Sequence, residues 1–384
     1  MKRIKDHYDY IICGGGASGL ILASRLCNDN YFINKSVLLI EKELKNTNDR
    51  TWCFWEEGKG EYDDIVSHSW QNAKFKAKNF KLNFSFNPFT YKMIKSKDFY
   101  SLMQKKLKPH AQLDQVQEKI IKINTKLNQV VTDKNIYKAD KIFSSIYSSK
   151  ILQSQTKFPV LLQHFYGCVI EAKKSCFNKG KIDFMNFDIP QENETRFIYV
   201  LPESNNRALI EFTLFSKNLL SDKEYLEEIK KYLNSIDTGG YSIIEKEKGQ
   251  IPMTCFRFDN YNTKDVLHIG TAGGWTKAST GYTFSRINEK TKELIYHLKK
   301  EKPLNKFNQI NRFWFYDLIF LDVLYRHNFL GSRLFKKMFE KNNPKTIFKF
   351  LDDKSSFLEE LKIITSFPFG PFLSAFFKRI FKIN

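Results

Sequence analysis

The sequence is short of the residues that build disulfide frames and metal knots. Six cysteines are scattered along 384 residues, and no two form a C-x-x-C pair. That scatter argues against a disulfide scaffold and fits reduced thiols in a cytoplasmic protein. No metal site is expected. Long apolar runs are also missing: no stretch reaches the roughly 18 residues that a spanning helix needs. The N-terminal MKRIKDHYDYIICGGG has only a short apolar run, and it leads into glycines instead of a cleavage site, so no signal peptide is expected. Internal repeats and low-complexity linkers are absent. Negative charge is scarce, with 42 Asp+Glu against 62 Lys+Arg and a formal charge of +20. Such a balance attracts anionic surfaces, whether nucleic acid or membrane phosphates. The joint abundance of Lys, Asn, Ile and Phe offers a blander source, an AT-rich genome. A hydrophobic fraction of 42% and a charged fraction of 27% mark a globular chain, long enough for about two or three domains.

What is present starts with a β-α-β unit. Asp9 to Cys13 is a short apolar run ending in glycines, Leu20 to Cys27 has helical spacing, and VLLIE (Val37 to Glu41) reads as a buried strand. SKDFYSLMQKKL predicts an amphipathic helix with Ser96 as N-cap and a stripe of Phe99, Leu102, Met103 and Leu107. KIIKI, QVVTD and DKIFSSI read as short strands. LLQHFYGCVIEA, TRFIYVLP and RALIEFTLFS read as antiparallel strands, the last two joined through the turn PESNN. SDKEYLEEIKKYLNSI carries a capping box, Ser221 with Glu224. Beyond VLHIGTAGG the chain becomes mostly helical.

Gly14, Gly16 and Gly19 satisfy G-x-G-x-x-G between a strand and a helix. Small residues there let the backbone approach a pyrophosphate, and the helix N-terminus attracts its charge. Glu41, ending the next strand, is placed to bind a ribose hydroxyl. A second glycine segment, HIGTAGGWTKASTGYTFSRI (His268 to Ile287), lies far downstream. An early and a late segment together favour FAD over a simple NAD site. The cofactor contacts expected are Gly14, Gly16, Ala17, Gly19, Glu41, Lys42, Trp52, Gly270, Gly273, Gly274, Thr280 and Gly281.

In NNRALIEFTLFS, Glu211 is a carboxylate inside an apolar strand. Burying it ionised and unpaired is costly. Alternation also permits a solvent-facing side chain, because Leu209, Glu211 and Thr213 share one face.

Several longer segments resemble the flavin-dependent lycopene cyclases of bacteria, relatives of the plant lycopene β-cyclases. They are NDRTWCFWEEG, LLQHFYGCVIE, KIDFMNFDIPQENETRFIYVLP, EKGQIPMT and GTAGGWTKASTGYTF, in family order from about residue 8 to 370. The resemblance implies an α/β fold: an FAD-binding Rossmann-like domain, an antiparallel-sheet substrate domain and a helical C-terminal part. The expected division is 1–65, 95–150 and 256–300 for FAD, 66–94 and 151–255 for substrate, and 301–384 for the helical region.

The activity implied is non-redox closure of the ψ-ends of lycopene to β-rings, through γ-carotene to β-carotene. Reduced FAD is the implied active form and NAD(P)H its reductant. The family's essential acid falls on Glu211. Its second acid does not: the chain reads Ile210-Glu211-Phe212-Thr213 where the family pairs two carboxylates, and Ala278-Ser279-Thr280 where it has Pro-Thr-Thr.

Such a reaction needs an acid, a dry cavity, and negative or π-rich walls for a carbocation. Burial raises a carboxyl pKa. Glu211 is therefore either proton donor or cation stabiliser, and reduced flavin is a further proton source. Phe54, Trp55, Phe165, Tyr199, Glu247 and Met253 are the expected substrate-pocket residues. Glu247 serves as a second carboxylate or as an ordinary strand salt bridge. Trp52, Phe54 and Trp55 serve as cavity wall, flavin stack or aromatic core. His164 reads as a satisfied structural histidine. FLEE (Phe357 to Glu360) imitates an acid motif but reads as a solvated helix face.

Lycopene must come from a bilayer, so peripheral docking on the inner face of the cell membrane is expected. FPFGPFLSAFFKRIFKIN offers Phe and Leu for the headgroup boundary, with Lys378, Arg379 and Lys382 for anionic lipid. Two rivals remain: an FAD-dependent monooxygenase or reductase on a lipophilic substrate, and a basic nucleic-acid-binding protein. No motif supports the second, and no nucleic-acid partner is expected.

Overall fold

A computed structural model describes residues 5–307 and 310–381. The chain opens with β1 (His7–Cys13), α1 (Ala17–Asn28), β2 (Val37–Glu41), β3 (Thr51–Glu57), β4 (Val66–Trp70), β5 (Asn72–Ala77), β6 (Phe80–Ser85) and β7 (Phe89–Lys95). Next come α2 (Ser96–Leu107), β8 (Leu113–Gln117), β9 (Ile120–Asn124), β10 (Gln129–Thr132), β11 (Ile136–Ser144) and α3 (Lys150–Gln153). The middle holds β12 (Leu161–Ala172), β13 (Lys181–Asn186), β14 (Thr195–Pro202), β15 (Arg207–Ser216), α4 (Asp222–Asn234) and β16 (Tyr241–Met253). After β17 (Val266–His268) the chain is helical: α5 (Phe284–Lys299), α6 (Arg312–Arg326), α7 (Gly331–Lys341), α8 (Pro344–Leu351), α9 (Phe357–Ile364) and α10 (Phe369–Ile380).

The first sheet runs β8-β2-β1-β11-β10-β9, with β17 also on β11. β8, β2, β1, β11 and β17 are parallel neighbours. Ile11, Ile12, Leu38 and Ile40 are fully buried, as strands covered on both faces require. One face carries α1, α2 and α5 through Leu20, Leu26, Met103 and Leu294. Register places Cys13 beside Ser144 and Ser144 beside His268. The loops after β1, β11 and β17 therefore leave the sheet side by side at its carboxyl edge, where open α/β sheets place their ligands.

The second sheet runs β16-β12-β15-β14-β13-β5-β6. The hairpin β14–β15 and the pairing β12–β15 are antiparallel, as expected. One face, including Cys168, Ile170, Ile210 and Phe212, packs on α4 through Tyr225, Ile229 and Leu233. The other turns toward a small sheet, β3-β7-β4, and the C-terminal helices. The boundary expected near residue 65 runs between strands of that small sheet.

The Ser221–Glu224 capping box is present. Ser96 is not the N-cap of α2; Lys95 is. The Ser96 hydroxyl instead donates to Asp49 at 2.9 Å and accepts from the Arg50 N–H at 3.0 Å, tying α2 to the strand-β3 approach. FLEE is only half solvated. Phe357 and Leu358 are exposed, but Glu360 is buried and chelated by Arg312 at 2.7 Å, with the Tyr316 hydroxyl at 3.0 Å. Glu359 completes a capping box with Ser356.

Candidate active site

The early glycines have different duties. Gly14 has φ +104° and donates its N–H to Ile40 at 2.8 Å. A Cβ at Gly19 would lie 2.0 Å from the Gly14 carbonyl oxygen. Both are demanded by the fold, as helix and strand could not otherwise meet this closely. Gly16, the N-cap of α1, has φ −78°, and a Cβ there would meet nothing within 4 Å. The fold does not need Gly16 bare; the space in front of it is what the glycine preserves. Gly16, Ala17 and Ser18 border a cavity of about 450 Å³. Glu41 accepts from the Gly15 N–H at 2.6 Å, holding β2 against the loop. Lys42 turns outward to pair with Glu43 at 2.7 Å.

The late segment closes the same cavity from the other side. Thr271, Thr280 and Gly281 line it. Gly270 has φ +61°, with Ser18 Oγ 2.6 Å from where its Cβ would be. Gly273 and Gly274 shape the turn behind and do not reach the cavity. Gly281 has φ +75° and sits against Gln163. The segment is anchored by a buried ion cluster: Lys277 binds Asp353 at 2.7 Å and Asp317 at 3.0 Å, and Arg286 binds Asp353 at 2.8 Å.

The cavity floor is the second sheet. Register aligns Tyr199 with Glu211, Glu211 with Gly167, and Gly167 with Glu247. Four strands thus carry a single row, Tyr199-Glu211-Gly167-Glu247, on one face. Gly167 is the gap in that row: a Cβ there would lie 2.9 Å from Glu247 Cγ and 3.1 Å from Leu209 Cδ1. The next row over is Phe197-Thr213-Phe165-Gly249, where the Phe165 ring lies over Gly249.

Each carboxyl accepts one threonine hydroxyl, Thr213 to Glu211 at 2.6 Å and Thr51 to Glu247 at 2.6 Å. Burial, then the nearby Glu247, raises the Glu211 pKa to about 8, against the opposing Thr213 bond. Burial also raises Glu247, against its Thr51 bond. What exposure Glu211 has is to the cavity it lines. Tyr91 and Tyr282 hydroxyls meet at 3.2 Å, and burial holds the Tyr91, Tyr199 and Tyr282 phenols above their usual range. The site therefore offers a carboxyl whose surroundings favour its neutral form, a second carboxyl, phenols and aromatic walls.

Of the residues expected from sequence, the cavity brings together Gly16, Ala17, Trp52, Phe165, Tyr199, Glu211, Glu247, Thr280 and Gly281. Phe54, Trp55 and Met253 lie outside its lining. Phe54 packs on Phe284, with ring centroids 5.1 Å apart. Trp55 donates its indole N–H to Asp352 at 2.9 Å and packs on Tyr282 and Phe348. Met253 is fully buried at the end of β16. His164 is structural, bonded to Tyr225 and to Ser216, with burial pulling its pKa down to about 4. Thr51, Tyr91, Thr213 and Tyr282 were not picked out by sequence. Thr213 carried a signal in its place two residues from Glu211 on the same strand face, and Thr51 and Tyr282 lie inside the segments NDRTWCFWEEG and GTAGGWTKASTGYTF; Tyr91 carried none.

A glycine-looped carboxyl edge, facing an antiparallel sheet across a cavity, defines a two-part dinucleotide-binding fold. Solved structures share it. A geranylgeranyl bacteriochlorophyll reductase-like protein from Thermoplasma acidophilum superposes with a TM-score of 0.58 at 13% identity, over 99% of this chain and 100% of that one. The flavin-dependent brominase Bmp2 gives 0.54 at 12% identity over 98% and 100%. A tryptophan halogenase from Shewanella frigidimarina gives 0.55 at 11% over 97% and 88%. The family model for the lycopene cyclase protein matches residues 9–376, and the chain belongs to that family. A lycopene beta-cyclase from Pantoea ananas is 24% identical over 297 residues, covering 73% of this chain and 72% of its own.

Proposed function

We propose that this chain is a lycopene β-cyclase that closes the ψ-ends of lycopene to β-rings, first to γ-carotene and then to β-carotene, without net redox change. The observation that carries this reading is the place of Glu211, on the floor of a cavity whose rim is the two glycine loops, where burial and the nearby Glu247 raise its pKa. Protonation of an isolated alkene needs an acid that has not already lost its proton, and a pKa near 8 meets that need. Attack by the neighbouring alkene forms the ring bond. Loss of a proton then restores charge balance, so substrate and product are isomers. The phenol and indole faces of Tyr199, Tyr282 and Trp52 give the cation π density. Glu247 adds a second carboxyl in the same row, whose negative charge lowers the cost of the cation, and the carboxylate left on Glu211 is the base that takes the departing proton.

FAD fits the cradle. Gly14 to Gly19 and the α1 N-terminus would hold its pyrophosphate, Glu41 its ribose, and Thr271, Gly281 and Trp52 its ring end. Bound and reduced, by NAD(P)H, it supplies electron density and a proton source beside the cavity. Lycopene and γ-carotene would be drawn from a bilayer, with the chain docked on the inner face of the cell membrane.

The test is expression in cells that accumulate lycopene, followed by pigment analysis. Cyclic carotenes support the reading, and unchanged lycopene sinks it. The rival, a flavin monooxygenase or reductase on a lipophilic substrate, separates in an anaerobic assay. A cyclase isomerises with pre-reduced enzyme and consumes no stoichiometric NAD(P)H; the rival does consume it.

A further inference from the structure

A second cavity, of about 310 Å³, lies among the C-terminal helices. Its walls come from α6, α7, α8, α9 and α10 and are Phe, Ile, Leu or Met, among them Ile319, Phe320, Met338 and Phe367, apart from Tyr316 and Asp317, the latter neutralised by Lys277 at 3.0 Å. Two features give it a direction. At its outer end Phe369, Leu373 and Phe376 line the cavity and are also exposed, at 62%, 47% and 37%. The mouth therefore opens on the apolar side of α10, where Phe377, Ile380 and Phe381 are exposed too. At its inner end stand Ser279 and Thr280, both buried. Thr280 also lines the Glu211 cavity. Its hydroxyl is buried without a hydrogen-bond partner, a polar atom left open between the two cavities, while the backbone of the turn is held by Lys277, whose carbonyl accepts from the Gly281 N–H at 2.8 Å.

We propose that this helical cavity is a second binding site, for the body of a long acyclic hydrocarbon chain, which enters beside α10 and passes Ser279–Thr280 to present its end to Glu211. The proposal rests on the reading of the Glu211 cavity as the site of ring closure. A linear chain with no polar atom can be bound only by apolar area removed from water. The cavity at Glu211 is rimmed by the polar glycine loops and carries two carboxyls, so it suits the reacting end and not the length. The helical cavity has the complementary character. Its mouth lies on the surface that an apolar, bilayer-dissolved ligand would meet first.

Two substitutions narrow the passage: Ile319→Trp inside it and Leu373→Trp at its exposed mouth, where folding is least affected. Flavin absorbance of the purified holoenzyme reports the fold and cofactor site. Rates are compared for lycopene and for a half-length acyclic terpenoid carrying the same terminal group. The expected result is lycopene turnover reduced by about tenfold or more, with flavin content and the short substrate's rate unchanged. Equal losses for both substrates, or for neither, would overturn the proposal. A binding arm is independent of catalysis. Glu211→Gln enzyme takes up lycopene from liposomes, read by the polyene absorption shift, and Leu373→Trp added to it should weaken uptake by the same factor. Stearic acid that displaces lycopene at equal concentration would make the cavity an acyl-lipid site and overturn the polyene assignment. Loss of ring formation in wild-type enzyme with intact, Leu373-sensitive uptake would sink the cyclase reading and leave this site standing.

Discussion

Glu211 owes its hold on a proton to its surroundings. Burial and Glu247 disfavour its ionised form, and Thr213 opposes them with one hydrogen bond. Glu211→Gln keeps the shape and the Thr213 contact but cannot give up a proton; ring formation should fall by about 100-fold or more, with flavin content intact, measured as β-carotene yield. The same carboxyl sets a pH trend in stability. Its folded pKa, about 8, lies above the unfolded carboxyl value, so between them the native state binds the extra proton. Its contribution is fully present below the unfolded pKa, about 4.3, and is lost as pH rises through about 8. The unfolding free energy of the wild type should thus decline across that window relative to Glu211→Gln, by up to about 5 kcal/mol at the alkaline end. Parallel curves would refute the assignment. Sequence revealed that this acid sits in an apolar strand, but not which way it faces, because alternation allows either. What decides is distant chain, the β3-β7-β4 sheet and the glycine loops, folded over that face. The same limit left Phe54 and Trp55 open between cavity wall and aromatic core. Neighbours in a strand point to opposite sides, and two aromatic cores were waiting, one on each side.

Among the elements, the β-α-β unit was legible because its strands are apolar throughout and its glycines are spaced for a tight turn. β16 was not. Its KEKGQ centre is charged and alternates half-buried with exposed, which hides a strand whose inward side chains include Glu247. β3 to β7 escaped because they are short, and β3 and β4 find their partner, β7, only after intervening strands, while β5 and β6 form a local hairpin. The glycine loop gives a prediction at this scale. Gly16→Val should yield soluble, folded, colourless protein, since its side chain enters only the open space before α1. Gly19→Val should fail to fold, because its Cβ would meet the Gly14 carbonyl at 2.0 Å. Circular dichroism and the flavin spectrum distinguish the two. A yellow, FAD-replete Gly16→Val would contradict the phosphate-cradle assignment.

For the whole molecule, the C-terminal tail was legible as apolar and basic, but its charges are not all free. Arg379 chelates buried Asp322 on α6 at 2.6 and 2.7 Å, and Ala375 is buried. α10 is therefore packed onto the body of the protein, with one face left apolar. Lys382 lies outside the described residues. Among those described, no helix is long and apolar enough to cross a membrane. Truncation before Ser366 should reduce liposome binding, but it also strips packing from α6. Phe377→Ser with Phe381→Ser changes only exposed positions and should weaken liposome partition by about tenfold or more, with the melting temperature unchanged. Equal sedimentation with vesicles would exclude α10 as the docking face.

The row that joins Tyr199, Glu211, Gly167 and Glu247 has a parity. Along β15 the odd-numbered residues lie on the chamber's side of the sheet, Leu209 and Glu211 lining it, and the even-numbered ones look at α4. Removing a single residue from the strand ahead of Glu211 would leave every hydrogen-bonding group able to find a mate. It would nonetheless deliver Phe212 to the chamber and turn the acid toward Tyr225 and Ile229. Length changes in this hairpin are thus tolerable only in twos, or outside the paired residues. A homologue with an odd offset there would need its proton from somewhere else.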